Sequence, residues 1–140
     1  MDKKIFDDYI ARFNAEDRTA FDDYIHPDLH MINGTLEFHG VQGMRDHYAA
    51  IWAGFVEQLA VERFVSDEQT IAIHMKTHFI ARDDNPESLF GPVLAGETFD
   101  FDGLIMYQVE NGKFAEIRVA YHSFVYTNAD GERTSLGIPH

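Results

Sequence analysis

A change in hydrophobic period near Gln58 limits what this chain can fold into more than any other feature of its sequence. Before this point, apolar residues recur at helical spacing in three segments, near residues 3–14, 18–25 and 41–57. After it, strand-forming residues alternate or run apolar over four segments, at 59–65, 70–82, 97–109 and 113–127. This order predicts an α+β fold in which the helices cover one face of a curved sheet.

Shorter features complete the predicted sheet. Asn33-Gly34 is a favoured hairpin turn, so residues 29–32 and 36–39 on either side of it are predicted to be short strands. In total we expect three N-terminal helices on a curved, mixed or antiparallel sheet of four to six strands. Segment 85–96 contains two of the four prolines, and its length favours a lid or rim. No linker or repeat interrupts residues 1–140, which we expect to form one domain.

The balance of charge and the composition exclude several functions. The chain carries 24 Asp and Glu against 11 Lys and Arg, and its formal net charge of −13 would repel a phosphate backbone. It has no cysteine, which excludes disulfides, thiolate metal sites and cysteine nucleophiles. Acids occupy the start, where a signal peptide would be apolar, and no apolar run approaches the ~18 residues of a membrane helix. We therefore expect a cytoplasmic protein without nucleic-acid or membrane partners.

Three short motifs follow one another at defined points of this pattern. They are residues 9–17 (YIARFNAED) in the first helix, 40–45 (GVQGMR) opening the third helix, and 112–118 (GKFAEIR) opening the last long strand. Their order and spacing resemble the nuclear transport factor 2-like superfamily and its SnoaL-like members, over nearly the whole chain. The resemblance implies a cystatin-like cone with a pocket between the helices and the concave sheet face. It also implies, frequently, a homodimer through the other face.

The superfamily includes ketosteroid isomerases, limonene epoxide hydrolases, polyketide cyclases and non-catalytic binding proteins, so the fold alone does not decide the function. Tyr9 stands where ketosteroid isomerases carry an oxyanion-hole tyrosine. Their aspartate general base falls at or beside Asn33, which cannot accept a proton, and their second oxyanion donor falls near Ile105. This mismatch argues against steroid isomerisation. The aspartate that orients the histidine of scytalone dehydratase matches Asn14, which weakens that chemistry without excluding it.

A histidine-based site is the alternative that the resemblance suggests. His122 aligns with the catalytic aspartate of limonene epoxide hydrolase and the SnoaL cyclase, while Lys76 and His78 stand in place of an Arg-x-Asp pair. We expect His122 deep in the cone as a neutral general base, because burial lowers the pKa of an imidazole. His78 would lie beside it, and Tyr9 would donate a hydrogen bond to a substrate oxygen that gains charge.

The faces of the predicted strands leave two interpretations open. Residues two apart share a face, so His74 lies on the side of His78, and Asp100 lies on the side of Asp102. If these faces converge in the cone, Asp102 or Asp100 sets the tautomer of His122. If they form the outer face, they are solvated or lie in a polar dimer interface. A zinc site is not expected, because His74 and His78 would lie roughly 13 Å apart on a strand.

Aromatic residues dominate the expected core, and a subset of them would line an apolar pocket. We expect Trp52, Phe55 and Tyr107 to contact a small, mainly apolar substrate, together with Asn33 and Lys76. There is no Gly-rich phosphate loop, and side chains alone run the proton transfers of this superfamily, so no cofactor is expected.

Two functions follow from these residues. The leading hypothesis is an acid–base enzyme for isomerisation, cyclisation, dehydration or hydration, and the rival is a non-catalytic ligand-binding or protein-interaction module. A closed cavity with His122 and His78 inside favours the enzyme, whereas both imidazoles on the outside favour the rival. Apolar residues on both sheet faces further predict a homodimer. Other histidines, among them His30 and His39, are expected in structural or solvent-exposed roles.

Overall fold

The structure, a computed structural model, describes residues 1–137, and over this range it contains three α-helices and nine strands. The helices are α1 (Lys3–Asn14), α2 (Thr19–Tyr24) and α3 (Gly40–Gly54). The strands are β1 (Ile25–Asn33), β2 (Leu36–His39), β3 (Phe55–Ser66), β4 (Thr70–Ala81), β5 (Asn85–Ser88), β6 (Gly91–Val93), β7 (Thr98–Glu110), β8 (Lys113–Thr127) and β9 (Arg133–Ser135). Among residues 1–137, no helix is long and apolar enough to cross a membrane.

Seven of the strands form one mixed sheet. Its order is β2-β1-β8-β7-β4-β3, and β9 pairs with β8 off this path. The pair β1–β8 is parallel, whereas the other neighbours are antiparallel. Strands β5 and β6 form a separate hairpin within the segment predicted to be a lid or rim. The α+β class with three helices is therefore confirmed, but the sheet has seven strands rather than four to six.

Two helices end earlier than predicted because the chain passes directly from helix to strand. The helix predicted over 41–57 ends at Gly54, and β3 begins at Phe55 instead of residue 59. In the same way α2 ends at Tyr24 and β1 begins at Ile25. Phe55 has an extended backbone, with φ −136° and ψ 145°. Apolar residues at such a junction fit the spacing of a helix as well as that of a strand, so the pattern does not show where the helix ends and the strand begins.

Helix α1 packs an aromatic stripe onto the concave face of the sheet. Asp2 caps the helix by accepting a hydrogen bond from the N–H of Ile5 at 2.9 Å. The buried residues then recur at helical spacing: Phe6, Tyr9, Ile10 and Phe13. Asn14 at the helix end accepts from the N–H of Leu59 at 2.8 Å and donates to its C=O at 2.9 Å. These two bonds fix α1 to β3.

A bulge in β8 decides which side chains face the core near the end of the sheet. Asp102 pairs with Ser123 and Gly103 pairs with Tyr121, so His122 is the extra residue between them. Gly103 faces this bulge at very short range, because a Cβ there would lie 2.5 Å from the carbonyl oxygen of Ala120. Tyr121 therefore stays on the inner face while His122 is turned away from it.

Candidate functional site

A small cavity lies between the concave face of the sheet and helices α1 and α3. Its volume is about 40 Å³, which is room for a few water molecules at most. Apolar side chains form most of its wall. The polar groups that line it are Tyr9, Asn33, Tyr48, Glu57, Thr77, Tyr107 and Tyr121.

Glu57 places a carboxyl group in this cavity. It lies on the inner face of β3, two residues after Phe55 and two before Leu59, and only 6% of its surface is exposed. Its Oε1 atom has no hydrogen-bond partner within residues 1–137. Burial disfavours the charged carboxylate and raises the pKa of Glu57 to about 8. Burial therefore favours the protonated form of this carboxyl group at neutral pH.

Trp52, on α3, lies next to this carboxyl group. The indole lowers the pKa of Glu57 and so offsets a part of the effect of burial, but the two groups do not reach hydrogen-bonding geometry. The buried Nε1 of Trp52 also lacks a partner among the described residues. Unpartnered buried polar atoms are rare in folded proteins. Two of them beside one cavity indicate a place where a water or a polar ligand atom binds.

The four tyrosines of the cavity are held in their neutral form. Burial is the main cause that raises the pKa of Tyr9, Tyr48, Tyr107 and Tyr121. The charge of Glu57 raises the pKa of Tyr9, Tyr48 and Tyr121 further. The pKa of Tyr121 reaches about 12. Each hydroxyl therefore keeps its proton and can donate a hydrogen bond to a bound molecule.

Two smaller polar side chains lie beside the Tyr121 hydroxyl. Burial raises the pKa of Tyr121, and the nearby side chains of Asn33, at the end of β1, and Thr77, on β4, offset part of that rise. Asn33 was expected in the pocket, and the structure places it on the cavity wall. The amide of Asn14, by contrast, is engaged with the backbone of Leu59 and does not line the cavity.

The predicted histidine site lies on the opposite face of the sheet. The side chain of His122 is 63% exposed and that of His78 is 44% exposed, so the expectation that His122 lies deep in the cone is wrong. Strand alternation gives the reason, because their chain neighbours Tyr121 and Thr77 face the cavity. Lys76 is on the outer face with His78 and is exposed.

The outer face does bring the histidines to the aspartates, but away from the cavity. His74 Nε2 lies 2.5 Å from Asp102 Oδ1, and His122 Nε2 lies 3.4 Å from the same oxygen. His78 Nδ1 lies 2.6 Å from Asp100 Oδ1. The second interpretation of these strands, an outer polar face, therefore describes their position. Asp102 cannot set a tautomer for chemistry inside the cone.

Among the aromatic residues expected to contact a substrate, Tyr107 lines the cavity and two others do not. Trp52 stacks on Phe21, with ring centroids 5.9 Å apart and planes 17° apart. Phe55 packs edge-on against Phe79, at 6.0 Å between centroids. Both residues belong to the hydrophobic core outside the cavity wall.

The β5–β6 hairpin covers one end of the cone with an aromatic side chain. The Phe90 ring lies between 4.8 and 5.5 Å, centroid to centroid, from the rings of Phe55, Phe79, Phe99, Phe101 and Phe124. Phe101 in turn lies 4.4 Å from the Tyr121 ring. A layer of phenylalanines therefore separates the hairpin from the cavity.

A larger groove of about 510 Å³ lies outside the cone, between this hairpin and the turn after β8. Its buried acid is Glu97, which accepts hydrogen bonds from the N–H groups of Leu94 at 2.7 Å and Ala129 at 2.9 Å. The Tyr126 hydroxyl is the main cause that lowers the pKa of Glu97, and these two backbone bonds lower it further. Glu97 therefore connects two turns. Its carboxylate is already hydrogen-bonded, unlike that of Glu57, so the cavity is the better candidate site.

Sequence reasoning missed Glu57, Tyr48, Thr77 and Tyr121. A helix predicted through residue 57 concealed the alternation of Phe55, Glu57 and Leu59, which is the signal that an acid points inward. Thr77 shares its strand face with Met75 and Phe79, and Tyr121 shares its face with Ile117 and Val119. A polar residue on an apolar strand face was the available signal.

A cone in which three helices pack on a curved mixed sheet is the architecture of the nuclear transport factor 2-like superfamily. Within it, the chain belongs to the SnoaL-like domain family, whose model matches residues 6–117. Curated protein sequences give no match.

Solved structures agree with this fold. The chain is similar to a protein proposed to be a polyketide cyclase from Pseudomonas putida KT2440, at 19% identity, 91% coverage of each chain and a TM-score of 0.71. It is similar to TsrD from Streptomyces laurentii, at 18% identity and a TM-score of 0.70, and the match covers 86% of this chain and 90% of TsrD. An LEH-like epoxide hydrolase from M. tuberculosis follows at 13% identity, coverage of 84% and 80%, and a TM-score of 0.68. At these identities the likeness shows the fold alone.

The raised pKa of Glu57 predicts a specific pH dependence of stability. Between the ordinary glutamate value of 4.5 and about 8, the folded protein holds a proton that the unfolded chain has released. The free energy of unfolding therefore falls as pH rises through this window. Glu57→Gln removes the titration, so its stability relative to wild type should rise by up to ~1.4 kcal/mol per pH unit between about 5 and 8. Urea denaturation at several pH values measures this difference.

Glu62→Gln is the matched control, because Glu62 lies on the same strand and is exposed. Its stability relative to wild type should stay constant over the same range. A constant difference for Glu57→Gln as well would contradict the raised pKa.

Proposed function

We propose that this SnoaL-like protein acts on a small, mainly apolar molecule inside its cone, with Glu57 as the general acid. The observation that carries the proposal is a buried carboxyl group without a partner on the cavity wall. General acids work best when their pKa lies near the working pH, and burial brings the pKa of Glu57 to about 8. Glu57 then holds a proton at neutral pH and gives it to the bound molecule.

The tyrosines supply the second part of this proposed site. The charge of Glu57 raises the pKa of both Tyr9 and Tyr121, which places their hydroxyls within its electrostatic reach. A neutral tyrosine donates a hydrogen bond to an oxygen that gains negative charge, and this is worth a few kcal/mol where water is excluded. Proton donation by Glu57 combined with this stabilisation supports isomerisation, cyclisation, dehydration or hydration. Such reactions use side chains alone.

A substrate enters this cone only if the cavity expands. Its volume of about 40 Å³ is far below the roughly 300–1,000 Å³ of typical ligand pockets. Phe90 is partly buried and lies on a hairpin outside the main sheet, so it can leave without breaking a sheet hydrogen bond. We expect the substrate to displace both Phe90 and the Phe101 ring that lies between Phe90 and Tyr121, which opens the cavity towards the hairpin. The surrounding phenylalanine rings favour a mainly apolar molecule in that space.

A non-catalytic binding module is the second candidate. The observation that favours it is the position of His122 and His78, which stand outside the cone and cannot act on its contents. In this alternative, Glu57 and the tyrosines fix the orientation of a ligand, and Glu57 transfers no proton.

Activity measurements on Glu57→Gln distinguish the two candidates. The purified chain is tested on a panel of small apolar epoxides and enolisable ketones. We expect turnover of the accepted compound to fall about 100-fold or more in Glu57→Gln, since the amide carries no transferable proton. In wild type, kcat/KM should fall as pH rises through about 8, where Glu57 loses its proton.

The exposed Glu62→Gln variant is again the control and should keep wild-type activity. An unchanged rate in Glu57→Gln contradicts the general-acid proposal. Binding of panel compounds without turnover by wild type supports the binding module.

We also propose that the outer face of the sheet forms a homodimer. Val65, Leu104 and Met106 lie on this face and are 66%, 58% and 50% exposed. Val65 and Met106 both pair with Ala72 in register, so the apolar surface is continuous across β3, β4 and β7. Contact with a second copy would remove this surface from water.

The homodimer predicts a mass in light scattering of twice the monomer value of 16.1 kDa at micromolar concentration. Leu104→Asp should give the monomer mass, because it buries an unpaired charge at the centre of the contact. Leu89→Asp is the matched control, since Leu89 is 66% exposed but lies on the tip of the β5–β6 hairpin. A monomer mass for wild type contradicts the homodimer.

A further inference from the structure

A second group of polar side chains lies far from Glu57 in the sheet order, on the hairpin formed by β1 and β2. His30 on β1 pairs directly with His39 on β2. Glu37 is two residues before His39 and therefore shares its side of the strand. One nitrogen or oxygen atom from each of His30, Glu37 and His39 lies within 4.8 Å of the other two. This set of ligand atoms was not expected from the sequence, which assigned both histidines structural or solvent roles.

The hairpin holds the three side chains in a defined arrangement. The His30 and His39 rings are nearly parallel, at 8°, with centroids 4.7 Å apart. His30 Nε2 lies 2.6 Å from Glu37 Oε1. The strands are joined by the two residues between Asn33 and Leu36, and Gly34 takes the left-handed conformation there with φ 60°. Such a tight turn leaves the two strands little freedom to separate.

We propose that His30, Glu37 and His39 bind one divalent transition-metal ion, with Zn²⁺ as the first candidate. Two imidazoles and one carboxylate form a ligand set that proteins use for Zn²⁺ and related ions. Bonds of about 2.0–2.2 Å around a tetrahedral ion put ligand atoms about 3.3–3.6 Å apart. Glu37 and His39 are exposed, so side-chain rotation alone brings the three atoms from their present spread to that spacing.

The charges around the hairpin do not oppose a cation. The basic residue in register with β1 is Arg118, which pairs with Ile32, and Glu116 pairs with His30. Arg118 Nε donates to Glu116 Oε1 at 2.6 Å, so its charge is compensated. The formal net charge of −13 favours cations over the whole surface.

The other histidine cluster on the outer face has a different geometry. His74 and His122 both contact the same oxygen of Asp102, and their rings are 6.3 Å apart. Two imidazoles here share one carboxylate oxygen. Among the described residues, only the hairpin group has three ligand atoms that all lie within 4.8 Å of one another. The cluster is therefore the internal comparison for metal binding.

An ion on the hairpin would stabilise the part of the fold that carries one wall of the cavity. His39 immediately precedes α3, and Asn33 at the end of β1 lines the cavity. Binding to the native state alone raises the melting temperature as the free metal concentration exceeds the dissociation constant. Metal binding can therefore be measured both directly, by titration, and through a rise in the melting temperature.

The test is a calorimetric titration of the untagged, EDTA-treated chain with ZnCl₂, together with thermal melts. We expect one Zn²⁺ per chain with a dissociation constant in the micromolar range and a rise in melting temperature. His39→Asn and Glu37→Gln should each weaken binding by about tenfold or more, since losing even a group that only supports a ligand costs about that much. His122→Asn and His78→Asn should bind as wild type does.

Both hairpin substitutions are at exposed positions, so the metal-free melting temperature should not change. Equal affinity in wild type and His39→Asn overturns the proposal. Loss of binding in His122→Asn but not in Glu37→Gln also overturns it, because the ion would then sit at Asp102. Absence of binding by wild type at submillimolar Zn²⁺ has the same consequence.

Discussion

The burial of an unpaired carboxyl group among aromatic rings is the constraint on which the rest of this structure depends. Removing Glu57 from water without a hydrogen-bond partner for Oε1 costs free energy, and protonation is the response that lowers this cost. The surrounding tyrosines stay neutral for the same reason, because burial disfavours their charged form. The phenylalanine layer beneath Phe90 closes one end of this interior. The proposed acid and its proposed hydrogen-bond donors thus both depend on burial in the same cavity wall.

The inner face of the sheet borders this buried environment, whereas the outer face carries charged side chains. Neighbouring residues along a strand lie on opposite faces. Thr77 faces the cavity while its neighbour His78 faces outward, and Tyr121 and His122 divide in the same way. The bulge at His122 keeps that division by absorbing one residue opposite Gly103. The imidazoles of His78 and His122 lie on the face that we propose for self-association. Glu57 and the tyrosine hydroxyls, by contrast, line the cavity in which we propose that the chemistry takes place.

The change of hydrophobic period predicted the helices, the long strands and the fold class, since burial of one face imposes those periods directly. The motifs around Tyr9 and Gly112 predicted the family. The site was predicted less well, because counting from Gly112 to a catalytic position cannot tell which face a residue takes. Glu57 was concealed at a junction where Phe55 fits a helix as well as a strand. The contact between His30 and His39 depends on the register of β1 and β2. The turn at Asn33-Gly34 predicts a hairpin but not this register.

Titration of the Glu57 carboxyl group itself tests the central claim most directly. The chain is labelled with glutamate carrying ¹³C at the side-chain carboxyl, and the resonance that disappears in Glu57→Gln is assigned to Glu57. Its chemical shift is then followed from acid to alkaline pH. A midpoint near 8 is the predicted result. A midpoint near the ordinary glutamate value of 4.5 would contradict the account, because Glu57 would then be a charged and hydrated carboxylate at neutral pH.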